Sequence, residues 1–140
     1  MAKDLSVWYD TCMFDAQQVE LFWRTRSQED FDTARSLFEL KKYTYALFFC
    51  HLAIEKLLKA LVVKKTSDNA PYDHNLQRLA EDAGLQLSDA IRQNFAEINT
   101  FNIKGRYDDF KSKFYEKATK EYTEKYLAET EQILIWLKTQ

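Results

Sequence analysis

From Tyr43 to Lys65 the chain reads YTYALFFCHLAIEKLLKALVVKK, roughly six helical turns without Gly or Pro. Leu47, Phe48, Phe49, Leu52, Ile54, Leu57, Leu58, Leu61, Val62 and Val63 cover most directions of that helix. A helix apolar on most sides has to be surrounded by other elements. Glu55, Lys56 and Lys59 near its centre argue against a membrane span. The stretch therefore predicts the central helix of a bundle. Its polar residues form a line: His51, Glu55 and Lys59 are spaced i, i+4, i+8, with Lys56 beside them. Such a line is either a solvated stripe with a modest Glu55–Lys59 pair or the wall of a groove or partner contact.

The flanking pattern is helical too. Leu5, Trp8, Tyr9, Cys12, Met13 and Ala16 recur at three- and four-residue steps, with Asp4 as a cap candidate. Val19, Phe22, Trp23, Phe31, Ala34, Leu37 and Phe38 continue the pattern to Leu40. Ser27 with Asp30 resembles a capping box, so residues 4–40 read as one long helix or as two broken near Arg26. Lys41–Lys42 suits a helix C-terminus and leaves a very short link, which implies an antiparallel hairpin. The TSDNAPYD stretch after Lys65 reads as a loop. A short helix over about Asn75 to Ala83 stops at Gly84, and Ser88 or Asp89 caps the next, with Ile91, Phe95 and Ile98 inward. After a second loop around Arg106-Tyr107-Asp108-Asp109, one last helix is expected from about Lys111 to Leu137. Its inward stripe is Phe114, Ala118, Tyr122, Tyr126 and Ile133. The fold class read from this is all-α, an antiparallel up-and-down bundle of about five helices, with a possible extra N-terminal one.

Composition narrows the chemistry. In 140 residues there are two Gly and one Pro, which disfavours a turn-rich β fold. Net charge is −2, so no global basic field draws nucleic acid and any such binding needs a local patch. Cys12 and Cys50 lie on apolar helical patterns and read as buried thiols in a reducing compartment. With no signal-peptide pattern at the N-terminus and no membrane-spanning run, the expected location is cytoplasmic. His51 and His74 lie on separate elements, and no CxxC, HExxH or Glu-x-x-His spacing occurs, so neither a metal nor a cofactor is expected. Two isolated glycines make no phosphate-binding loop. Cys50 and His51 are adjacent and point in different directions on a helix, which disfavours a local dyad.

The loop near residue 106 is the remaining candidate. Lys104, Arg106 and Lys111 concentrate positive charge near a helix start, a setting that favours phosphate, and Tyr107 can stack on a base. Alternatively, Arg106 pairs with Asp108 or Asp109 and Tyr107 packs inward. The tyrosines and tryptophans of the last helix, with Trp8, Tyr9 and Trp23, suit either a large aromatic core or an interface, the latter simplest as a homodimer.

Three segments carry a family resemblance: ALFFCHLAIEKLLKALVVKK, PYDHNLQRLAEDAGL and FNIKGRYDDFKSKFY. Within them, Ala53-x-Glu55-Lys56-x-x-Lys59-Ala60, His74-x-Leu76-x-x-Leu79 and Arg106-Tyr107 are the most specific. From about Gln17 to Leu137 the chain resembles a HEPN domain (higher eukaryotes and prokaryotes nucleotide-binding). The resemblance implies one HEPN-like domain over residues 1–140, with 1–16 as an N-terminal extension. It also implies a homodimer that partners a small nucleotidyltransferase, in some relatives as a toxin–antitoxin pair. The expected function is non-catalytic binding of a nucleotide or RNA. The site implied is Arg106 and Tyr107 on phosphate and base, Lys104 nearby, Asn102 at the loop entry, and His51, Glu55, Lys56 and Lys59 on the neighbouring helix face. RNase members carry an Arg followed four to six residues later by His. No His follows Arg106 here, which removes the expected acid–base group. A divergent RNase toxin and a pure protein-interaction module are the alternatives.

Overall fold

The computed structural model describes residues 14–102 and 109–140, and side chains except those of 109–112. The expected N-terminal face (Leu5, Trp8, Tyr9, Cys12, Met13, with Asp4) and the loop residues Lys104, Arg106, Tyr107 and Asp108 lie outside the described residues, as do the side chains of Asp109 and Lys111. Six helices occur among the described residues: α1 Ala16–Glu39, α2 Tyr43–Thr66, α3 Leu76–Asp82, α4 Asp89–Asn99, α5 Asp109–Lys117 and α6 Lys120–Lys138. None is long and apolar enough to cross a membrane.

Fifteen of the twenty-four residues of α2 are buried, so it is the central helix that its all-round apolar pattern implies. Helix α1 packs antiparallel along it, α6 lies on another side and also meets α1, and α3 and α4 close a third side. The core joins Leu47, Ile54, Leu57 and Leu58 of α2 to Phe31 of α1, Leu76 and Leu79 of α3, Phe95 and Ile98 of α4, and Leu134 and Leu137 of α6. Phe101, Phe114, Tyr122 and Tyr126 form an aromatic cluster with centroids 4.8–6.0 Å apart. Tyr122 and Tyr126 thus take the core alternative, while Tyr115 stays exposed.

The helix ends follow local chemistry. Asp15 accepts the N–H groups of Gln17 and Gln18 and starts α1. At the other end of α1, the Lys41 N–H donates to Phe38 and the Lys42 N–H to Leu37, with Lys41 left-handed at φ 60°. The same double closure ends α3, where Gly84 (φ 72°) donates to Glu81 and Leu85 donates to Ala80. Ser88 caps α4 by accepting the Ile91 N–H.

One open alternative is settled and one expectation is corrected. Helix α1 does not break near Arg26. The Ser27 hydroxyl donates to the Ala53 carbonyl of α2 at 2.6 Å and Asp30 pairs with Lys56, so the apparent capping box is a pair of interhelical contacts. The last helix, by contrast, is not continuous. Thr119 leaves the helix and its side chain accepts the Tyr122 N–H, starting α6 afresh. Phe114, Ala118 and Tyr126 are nonetheless buried across the break, which is why their four-residue spacing read as one stripe.

Candidate functional site

The polar line on α2 is not a solvated stripe. His51 is fully buried, Glu55 is 4% exposed and Lys59 is 6% exposed. Neighbouring elements cover it. The segment leading into α3 crosses above the line and delivers His74 to it. The His51 Nε2–H donates to the His74 carbonyl at 3.0 Å, and the His74 Nδ1–H donates to Glu55 Oε1 at 2.9 Å. On its other oxygen, Glu55 meets Lys59 Nζ at 3.2 Å. The Lys59 ammonium lies 5.3 Å from the Trp23 ring centroid, supplied by α1. Lys56, one residue off the line, pairs with Asp30 of α1 at 2.6 Å.

These contacts assign protonation states. His51 gives its Nε2 proton to a carbonyl, and burial holds its pKa below the usual value, against the opposing pull of Glu55. His51 is therefore neutral, with a bare, buried Nδ1 lying 3.8 Å from Glu55 Oε1. Burial raises the Asp30 pKa and Lys56 counters it. Cys50 is buried, and desolvation pushes its thiol up to about 12, so it behaves as core rather than as a nucleophile.

The segment carrying His74 is fixed from both ends. The Asn75 side chain caps α3 by accepting the Arg78 N–H, and Asn99 at the end of α4 accepts the Leu76 N–H. Arg78 donates twice to Asp73 at 2.8 Å, which holds that carboxyl at about 2, far below its ordinary value. The Tyr72 ring meets the His74 ring edge-on at 5.3 Å.

Two cavities open on this arrangement. The larger, about 630 Å³, has Trp23, Phe48 and Leu52 as apolar walls and Glu55, Lys56 and Lys59 as polar ones. The smaller, about 270 Å³, is polar, with Tyr72, Asp73, Asn75, Arg78 and Asn99. His74 and Asn102 line both. Apolar walls for a flat ring, with a few oriented polar groups, suit a small aromatic ligand carrying polar substituents. Among the described residues no cluster of His, Cys, Asp or Glu could hold a metal ion.

Of the expected site residues, Glu55, Lys56, Lys59 and Asn102 line one cavity, and His51 lies beneath it as support for His74. Lys104, Arg106 and Tyr107 lie outside the described residues. His74, Trp23 and Tyr72 did not stand out as site residues in the sequence. The chain places His74 nineteen residues from Glu55, and only the crossing segment joins them. The one available signal was the excess of polar residues on an otherwise apolar helix, which called for partners elsewhere in the chain.

A model of the HEPN domain matches residues 20–140. The crystal structure of TT1696 from Thermus thermophilus is similar in fold, with a TM-score of 0.70 at 16% sequence identity. The match covers 91% of this chain and 98% of that one. No curated protein matches this chain.

Proposed function

Because the chain belongs to the HEPN domain family, we propose that it is a non-catalytic binding protein whose ligand is a nucleotide or single-stranded nucleic acid. The observation that carries the reading is the buried His51–Glu55–Lys59 line, held to His74 and opening on the Trp23 cavity. Burying ions costs several kcal/mol apiece before pairing, and apolar residues of similar volume would serve the core as well or better. A helix that keeps these groups beside an aromatic-walled cavity is better explained by a ligand than by stability. Lys104, Arg106 and Tyr107 follow Asn102 in the chain, and their contact with phosphate and base belongs to this proposal, as do a single domain over residues 1–140, homodimer assembly and pairing with a nucleotidyltransferase.

Glu55 orients the His74 imidazole much as a carboxylate orients a catalytic histidine. Among the described residues that line the cavities, the other charged groups are paired: Asp73 with Arg78, Lys56 with Asp30, Lys59 with Glu55. That supports binding over phosphodiester cleavage, which calls for a second acid–base group. Purified protein is expected to leave RNA intact.

The test is thermal unfolding with a panel of nucleotides and short RNAs, wild type beside His74→Ala and Arg106→Ala. A ligand at one hundred times its Kd adds about 2.7 kcal/mol, which for a chain of this size raises Tm by about 9 °C. A rise in wild type that shrinks in both variants supports the reading. No rise with any ligand refutes it. A protein-interaction module would then be favoured, for which exposed Leu21, Phe22, Leu40 and Ile135 offer apolar contact area.

A further inference from the structure

The two cavities meet at His74 and Asn102 but differ in chemistry. We infer that together they form one bipartite site for a dinucleotide unit of single-stranded nucleic acid, one base on each side of His74. This deepens the nucleotide reading and rests on it.

The larger cavity supplies flat and aliphatic walls, Trp23, Phe48 and Leu52, and its 630 Å³ accommodates a base with its sugar. The smaller one is a poor phosphate site. The charge of Arg78 is balanced by the two hydrogen bonds it donates to Asp73, the Asn75 side-chain oxygen caps α3, and Asn99 ties α3 to α4 through both its side-chain oxygen and nitrogen. A mononucleotide with its base in the larger cavity would therefore find no uncompensated cation for its phosphate among the described residues of the smaller one. What the smaller cavity offers is the Tyr72 ring, 89% exposed and standing edge-on to His74. An exposed ring over a polar, charge-balanced floor suits a second nucleobase, which can stack and exchange hydrogen bonds. Between the two lies His74, whose Nδ1 is taken by Glu55, so Nε2 is the atom it can offer a ligand. With its proton on Nδ1 the ring offers Nε2 as an acceptor, and an acceptor between two base sites matches a base N–H group such as the adenine amine.

The test is calorimetric titration of the full-length protein with three probes at one salt concentration. These are deoxyadenosine 5′-monophosphate, deoxyadenosine 3′,5′-bisphosphate and the dinucleotide pdApdA, whose first sugar lacks the hydroxyl needed for self-cleavage. The dinucleotide is expected to bind at least about tenfold more tightly than either mononucleotide. Tyr72→Ala, at an exposed position, is expected to weaken the dinucleotide about five- to a hundredfold, the range of one stacking partner, and so to shrink its advantage over the mononucleotides. Equal affinity for the bisphosphate and the dinucleotide overturns the inference, because charge alone would then explain the gain. So does a Tyr72→Ala variant that keeps the dinucleotide advantage. In both cases nucleotide binding itself survives. If no probe binds wild-type protein, the nucleotide reading fails and the bipartite site with it.

Discussion

Glu55 and Lys59 are the most consequential pair to perturb, because both lie inside the bundle and each holds the other. Their charged atoms are 3.2 Å apart, with side-chain exposures of 5% and 8%. At an effective dielectric of about 20, that separation corresponds to about 5 kcal/mol of attraction, set against a desolvation cost of several kcal/mol for each ion. The pair intact is thus near break-even, whereas either ion left alone is uncompensated. Glu55→Gln keeps the shape and the acceptor for His74 but strands the Lys59 ammonium. It should cost about 3–5 kcal/mol. Lys59→Met strands the Glu55 carboxylate, which retains only His74, and should cost a similar amount. The double variant removes both charges and should lose about 2 kcal/mol less than the sum of the single losses. Urea unfolding at pH 7 measures all four corners of the cycle, with the slope checked for constancy. Losses that add, or a Glu55→Gln variant within about 1 kcal/mol of wild type, would refute the argument, because the charges would then not be buried together in solution.

Burial lowers the His51 pKa, so the unfolded chain binds the proton more readily. The contribution is complete above the unfolded value near 6.5. It is lost as pH falls below that toward the folded pKa, at up to about 1.4 kcal/mol per pH unit. His51→Gln, which can still donate to the His74 carbonyl, should flatten the stability profile just below pH 6.5 in denaturant titrations at stepped pH. Lys41 occupies a left-handed position at φ 60°, so Lys41→Gly should stabilise by up to about 1 kcal/mol, while the same change at Lys42 (φ −95°) should not; paired melting curves decide it. Thr119→Ala removes the cap that restarts α6 and should cost about 1 kcal/mol, or about 3 °C in Tm.

Much of the fold was written in periodicity. An apolar run in every direction can only be a surrounded helix, and the Tyr43–Thr66 helix lies one residue from the expected end. Gly84 and Ser88 marked helix boundaries because their roles are local: a left-handed backbone, and a side chain reaching three residues ahead. Local spacing misled where a residue had a distant use. Ser27 and Asp30 had the form of a cap, yet their partners are Ala53 and Lys56 on another helix. The Thr119 break was hidden because Phe114, Ala118 and Tyr126 stay on the core side of it.

The site divides in the same way. From the chain alone one could read that His51, Glu55 and Lys59 share a helix face, since that follows from 3.6 residues per turn. Whether that face met water or protein could not be read, because exposure depends on what packs over it. The segment before α3 decided that by laying His74 across the line, while α1 contributed Trp23 and Asp30 from the opposite side. Hydrogen bonds and ion pairs act over about three ångströms, a distance that residues nineteen apart in sequence reach only through the fold. The residue types and their phase on the helix were thus determined by the sequence. Their burial, their partners and the cavity they line were decided by the packing of helices around α2.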